Sequence, residues 1–287
     1  MVKDAVAAYP VFSFMAIRFT FAALALAPLI YLRRRRVGVW ARGGIGEWGY
    51  GSVGVREHRR SHTPTLPHSL APVLIGLALF AGYGFQTFGL HLTTPAKAGF
   101  ITGLSVVIVP VVAALLLREA PRWNAWLGVA AATAGLALLS LQADLTISPG
   151  DLLVFGCALA FAGHILLTGR FSPRHDPLLL TFGQVVVVAV LNGAAALIFD
   201  ARPLLTGRVL FAAAFTGLLA TAAAFGIQTL AQRFTTTTHT ALIFAAEPVF
   251  AALFSFLLIG ETLGPRQLLG CALILVGMVV GELKRGA

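Results

Sequence analysis

Gly84-Phe85-Gln86-Thr87 returns later in the chain as Gly226-Ile227-Gln228-Thr229. Without any gap, the same offset carries Thr93-Thr94 onto Thr235-Thr236, Glu119 onto Glu261, Gly128 onto Gly270 and Gly135 onto Gly277. One register held at Gly, Gln, Thr and Glu, and not only at common Leu and Ala, marks an internal duplication, the feature to look for before any other. In an apolar chain it points to a transporter built from two related halves.

The 287 residues are apolar enough for that reading: 58% are hydrophobic, 11% are charged and the mean hydropathy is +0.87. Soluble domains carry roughly 25% charged residues. The apolar residues also come in runs of about twenty, the length that crosses a hydrocarbon core of ~30 Å. The chain therefore reads as an all-α polytopic membrane protein whose first partner is the lipid bilayer. Nine spans are predicted, at Val11–Leu32, Pro72–Leu92, Ala96–Leu117, Trp123–Leu141, Gly150–Thr168, Leu178–Phe199, Val209–Gln232, Thr238–Ile259 and Gln267–Glu282. The first is a poor signal peptide, because Pro28 follows the cleavage-like Ala25-Leu26-Ala27 and Arg18 interrupts its apolar run. Cys157 and Cys271 sit inside apolar runs, which suits neither a disulfide framework nor a metal site.

A net charge of +10 would suggest nucleic acid in a soluble chain. Placement says otherwise. Basic loops stay cytoplasmic. With the basic, Gly-rich loop 33–71 placed inside, that loop, Arg118, Arg122, Arg170, Arg174, Arg233, Lys284 and Arg285 all fall on the cytoplasmic side. Lys3, Lys97, Arg202, Arg208 and Arg266 fall outside, a division of fifteen against five. The charge is a topology signal, the C-terminus is expected in the cytoplasm, and no nucleic-acid partner is implied. Gly44-Ile45-Gly46-Glu47-Trp48-Gly49 matches G-x-G-x-x-G by letter, but it lies between two membrane spans and not between a strand and a helix.

The duplication divides the chain into a first repeat, residues 1–142, and a second, residues 150–283. The second contains five helices and the first only four. Lys3 to Phe12 aligns with Arg170 to Leu179, Pro10 falling on Pro177, and Arg170 is preceded by a full helix. The expectation is that the first helix of a ten-helix fold is missing. Five helices per half is an odd number, so the halves insert with opposite orientation and form an inverted repeat about an axis in the membrane plane.

Several stretches carry a resemblance. They are Phe14-Met15-Ala16-Ile17-Arg18-Phe19 with the Ala-rich helix after it, Gly99-Phe100-Ile101-Thr102-Gly103-Leu104, Glu247-Pro248-Val249-Phe250-Ala251-Ala252-Leu253, Gly260-Glu261-Thr262 and Leu269 to Gly277. In this order, and together with the repeat, they resemble the drug/metabolite transporter superfamily, specifically its EamA-like members, over nearly the whole chain. The resemblance implies two five-helix halves around a central cavity. It also implies export of a small organic metabolite or drug across an inner membrane. The chain departs from the pattern in the absent first helix and the long Arg/Gly insertion.

Polar groups at membrane depth are costly and mark function by default. Glu247, mid-span and beside Pro248, is a candidate for binding a cation or carrying a proton; its alternative is an internal pair with a basic or polar helix. Arg18 could attract an anionic group of the substrate, pair with a carboxylate or snorkel outward, and its place in an Arg-Phe dipeptide like the family's favours an ion pair as readily. Gln86 and Gln228, one per half, either line both walls of a cavity or cross-link helices, and Tyr83 lies on the same helix face as Gln86. His164 is a second candidate on a proton path. Glu119 and Glu261 are read as acids complementing helix N-termini. Gly128, Gly135, Gly270, Gly277 and Gly281 form close-packing faces that join helices within the protein or in a homodimer. No Ser/His/Asp set, H-E-x-x-H motif or paired carboxylates appear, so no enzyme, metal or cofactor is expected. The rival to transport is a membrane scaffold or assembly subunit, which would need the glycine faces and dispense with Glu247, Gln86 and Gln228.

Overall fold

In a computed structural model, residues 10–42, 70–117, 121–140, 146–200, 206–260 and 262–283 are described. Among them the chain forms twelve α-helices: α1 Val11–Arg42, α2 Leu70–Leu90, α3 Pro95–Gly103, α4 Ser105–Leu116, α5 Trp123–Ser140, α6 Pro149–Phe171, α7 Pro177–Phe199, α8 Gly207–Gly217, α9 Ala224–Ala231, α10 Thr237–Phe244, α11 Glu247–Ile259 and α12 Pro265–Glu282. Three pairs are continuous as spans: α3 with α4, α8 with α9 through a π-helical turn at Leu218–Ala223, and α10 with α11. Nine segments among the described residues are therefore long and apolar enough to cross a membrane, matching the nine expected. The loop expected from residue 33 begins later, since α1 continues to Arg42. Glu119 and Glu261 lie outside the described residues.

The Thr-Thr connectors are caps. Thr94 accepts from the backbone N–H of Lys97 at 3.3 Å, and its repeat partner Thr236 accepts from that of His239 at the same distance. Each side chain satisfies one of the four N–H groups that a helix start leaves orphaned. Asp176 and Thr206 do likewise for α7 and α8. Ser148 and Asp151 form a reciprocal capping box on α6.

Both broken spans break at one repeat position. α3 passes into α4 at Leu104 and α10 into α11 at Ala246, the residue to which the offset carries Leu104. A proline can interrupt a helix, yet neither break falls on one. Pro110 is buried inside the unbroken α4. Pro248 lies in the first turn of α11, where an absent N–H removes no helical bond.

Two apolar cores organise the packing. One gathers Val106 and Val109 of α4, Leu136 of α5, Ile165 of α6, Leu242 of α10 and Ile274 of α12. The other gathers Phe19 and Ala22 of α1, Leu79 of α2, Val185 and Val188 of α7, and Ala222 of the π turn. Repeat partners α5 and α12 form the most extensive helix pair, and α1 packs along its partner α7. A Cβ placed on Gly128 would stand 2.5 Å from the Gly277 carbonyl oxygen, and one on Gly135 2.5 Å from that of Gly270. Of the two roles open to the glycine faces, the one within the chain is taken, and a homodimer would have to use other surfaces. α6 lies against α2, α3 and α4, α8 packs against α1 and α9 against α7, whereas α11 makes only slight contact with α12. Phe250, Phe254, Leu257 and Leu258 of α11 stay exposed, a surface suited to hydrocarbon and not to water.

Candidate functional site

Arg18 enters from α1 beside Phe19, whose ring is wholly buried in the second core. Its Nε donates to Thr221 Oγ1 at 2.8 Å and an η-nitrogen donates to the Ala220 carbonyl at 3.3 Å. Both acceptors belong to the π turn. A π turn widens the helix and is frequent at functional sites, and Thr221 Oγ1 in turn donates to the Thr216 carbonyl at 3.2 Å. The guanidinium lies over the Tyr83 ring, 5.6 Å from its centroid, within cation–π range. Tyr83 is held edge-on by Phe19 and by Phe161 of α6, at 5.7 and 5.5 Å.

Glu247 opens α11 immediately after the Ala246 break. Its side chain is exposed, and its carboxyl lies within electrostatic reach of the Tyr83 hydroxyl. Among the described residues it has neither an ion pair nor a hydrogen bond, so the internal pairing that would make it structural is not formed. Among the described residues Arg18 likewise has no carboxylate partner and is held by neutral oxygens. The structure thus brings a guanidinium and a phenol together from α1 and α2, with the carboxyl of Glu247 within electrostatic reach on α11 at the helix break. A charge at membrane depth that is positioned but not neutralised can bind an opposite charge or exchange a proton.

The remaining predicted residues separate from this cluster. His164 is 3% exposed, with Nε2 2.8 Å from Gln184 Oε1; Gln184 Nε2 donates to Thr229 Oγ1 at 3.3 Å. Because the amide carbonyl accepts, the imidazole proton sits on Nε2. The His164 ring also meets Phe225 edge-on at 5.5 Å. Gln228 Nε2 donates to Gln232 Oε1 at 3.2 Å, and Gln232 Nε2 reaches the Ile165 carbonyl at 3.0 Å. For Gln228 this is the helix-linking alternative. Gln86 is half-buried and makes no hydrogen bond among the described residues, so it retains the cavity-wall alternative.

Sequence reasoning missed Thr221, Gln184, Thr229 and Gln232. Gln184 stood in plain view as an amide inside an apolar run, the signal that selected Gln86. Thr221 carried no signal, because nothing in Leu218–Ala223 announces a π turn.

An all-helical bundle of antiparallel repeats, with polar groups converging beside an interrupted span, is the architecture of a membrane transporter. The profile of the EamA-like transporter family matches residues 1–141 and 148–280, and the chain belongs to that family. It is 33% identical to an uncharacterized transporter of Archaeoglobus fulgidus over 210 residues, 73% of this chain and 68% of the relative. It is 28% identical to the uncharacterized transporter YwfM of Bacillus subtilis over 199 residues, 67% of each chain. A solved protein crystal structure superposes with a TM-score of 0.76 over 96% of this chain and 90% of its own, at 21% identity, which bears on the fold alone.

Proposed function

We propose that the chain is a secondary transporter that exports a small organic metabolite or drug across the inner membrane by alternating access of its two inverted halves. The arginine-rich loops and the C-terminus face the cytoplasm, in keeping with the division of Lys and Arg between the two sides. One observation carries the reading: Arg18 lies over Tyr83, Glu247 opens the helix after the break within electrostatic reach of that ring's hydroxyl, and neither is neutralised by an ion pair among the described residues. In this reading Arg18 and Tyr83 hold the substrate, with Gln86 on the wall of its path, and Glu247 carries the proton. His164 and Gln228, tied into buried hydrogen bonds, support the helices that frame the site.

The test is a comparison of metabolites in medium and cells for strains expressing the native protein, Arg18→Gln or Glu247→Gln. The expected result is a compound that accumulates outside with the native protein only. In proteoliposomes its movement should follow an imposed pH gradient, and Glu247→Gln should abolish that dependence. Unchanged pH dependence would remove Glu247 from coupling. Equal profiles for all three correctly inserted proteins would favour a scaffold.

A further inference from the structure

A cavity of about 370 Å³ opens away from the Arg18–Glu247 cluster, where the ends of α4, α6 and α9 meet the start of α10. Its lining includes Arg122, Arg170, Arg233, Thr237, Thr238 and His239. No carboxylate among the described residues pairs with any of the three arginines. His239 stands 3.7 Å from Glu282. Three guanidiniums crowded on one cavity repel each other unless an anion joins them, and their planar forks match phosphate oxygens.

Two further features converge on the same space. The first is the start of α10. Thr236 caps the His239 N–H, and the N–H groups of Thr237 and Thr238 have no acceptor among the described residues, so the positive end of the helix faces the cavity with free donors. The second is independent of it. Thr237 is only 5% exposed, its methyl packs toward Gly169, and its Oγ1 has no hydrogen-bond partner. A buried hydroxyl left unsatisfied is uncommon and calls for a ligand or an ion.

The other repeat supplies an internal control. Thr93, which the offset carries onto Thr235, donates its hydroxyl to Asp151. There the Thr-Thr connector is met by a carboxylate of the chain itself. At the second connector the described residues offer arginines in its stead.

We propose that this cavity is a binding site for a phosphate monoester group, held by Arg122, Arg170 and Arg233, by the free N–H groups of α10 and by Thr237 Oγ1. The volume accepts the phosphate with a few attached carbons. The same group can come from a soluble organic phosphate or from a phosphatidic acid headgroup.

Thermal unfolding of the full chain decides, measured in detergent with inorganic phosphate or glycerol phosphate against chloride at equal ionic strength. A parallel series uses bilayer nanodiscs of phosphatidylcholine with and without phosphatidic acid. Saturable stabilisation by the soluble phosphates, or by phosphatidic acid alone, is expected and names the source. Arg170→Gln and Arg233→Gln should each weaken it about tenfold, and the Lys variants should recover only part, because the fork is lost. Thr237→Val should weaken it several-fold while leaving the unliganded melting temperature unchanged or raised, since an isosteric methyl replaces an unsatisfied hydroxyl. Stabilisation by none of these phosphates beyond chloride, or stabilisation that the Arg and Thr237→Val variants retain in full, would overturn the site.

Discussion

Gly128 of α5 abuts the carbonyl of Gly277 on α12, and the contact is reciprocated: Gly135 abuts the carbonyl of Gly270. Gly270 and Gly277 are the residues onto which the repeat offset carries Gly128 and Gly135. Each glycine therefore meets the partner of the other, which only two antiparallel helices related by a two-fold axis can do. The inverted repeat, inferred from an odd number of helices, is expressed here as a set of atomic contacts.

Filling this seam should be costly. In Gly128→Ala or Gly277→Ala the new Cβ lies 2.5 or 2.7 Å from a backbone oxygen, which cannot move aside without separating the helices. A loss of about 1–3 kcal/mol is expected, the usual cost of overpacking. Gly84→Ala and Gly226→Ala are the controls, because an added Cβ at either meets nothing within 4 Å. Melting temperatures in one detergent should fall for the first pair and hold or rise for the second.

Thr221→Val removes the acceptor that holds Arg18 Nε while keeping the shape of the π turn. The guanidinium then loses its aim at the substrate position, and transport should fall roughly tenfold, the equivalent of about 1.4 kcal/mol in positioning. Arg18→Lys should cost at least as much, since an ammonium cannot serve Thr221 Oγ1 and the Ala220 carbonyl with the same fork. Proteoliposome uptake of the compound found by metabolite comparison measures both. A Thr221→Val protein with native transport would show that Arg18 needs no such anchoring.

The buried chain from His164 through Gln184 to Thr229 should behave as packing. Gln184→Leu leaves the His164 N–H without its acceptor in a dry interior, at a cost of about 1–3 kcal/mol. The double variant His164→Phe/Gln184→Leu removes both polar groups and should recover much of that loss. Unfolding measurements on the two single variants and the double variant close the cycle. Transport by the double variant that stays within about threefold of native would confirm that its proton does not serve coupling.

How much of this was legible follows from what each feature depends on. Spans and repeat were readable because crossing hydrocarbon is enforced residue by residue, and because the same offset returned Gly, Gln and Thr together. The seam glycines were readable as a close-packing face, but whether the face closed within one chain or between two depends on where α5 and α12 lie. Arg18, Tyr83 and Glu247 were each conspicuous alone. Their meeting was not, since it takes a π turn at Leu218–Ala223 and a break at Ala246, neither of which has a residue signature. Gln86 and Gln228 show the opposite failure. They are equivalent in sequence, yet one is bonded within the bundle and the other is not.

The helix break supplies the last prediction. If Pro248 caused it, the first half should break at a proline too, but α4 runs through Pro110 unbroken and the interruption falls at Leu104 instead. What the two breaks share is their position in the repeat, which points to the packing around α3–α4 and α10–α11 as their cause. Pro248→Ala should then leave the break in place. Because Pro248 occupies the first turn of α11 and lacks no helical bond there, stability should change by no more than about 0.5 kcal/mol, the range of substitutions that disturb no special feature. Transport should stay within about twofold of native, whereas Glu247→Gln, one residue away, should abolish its response to pH. A Pro248→Ala protein that folds and inserts but no longer transports would reassign the break to the proline, and with it the exposure of Glu247.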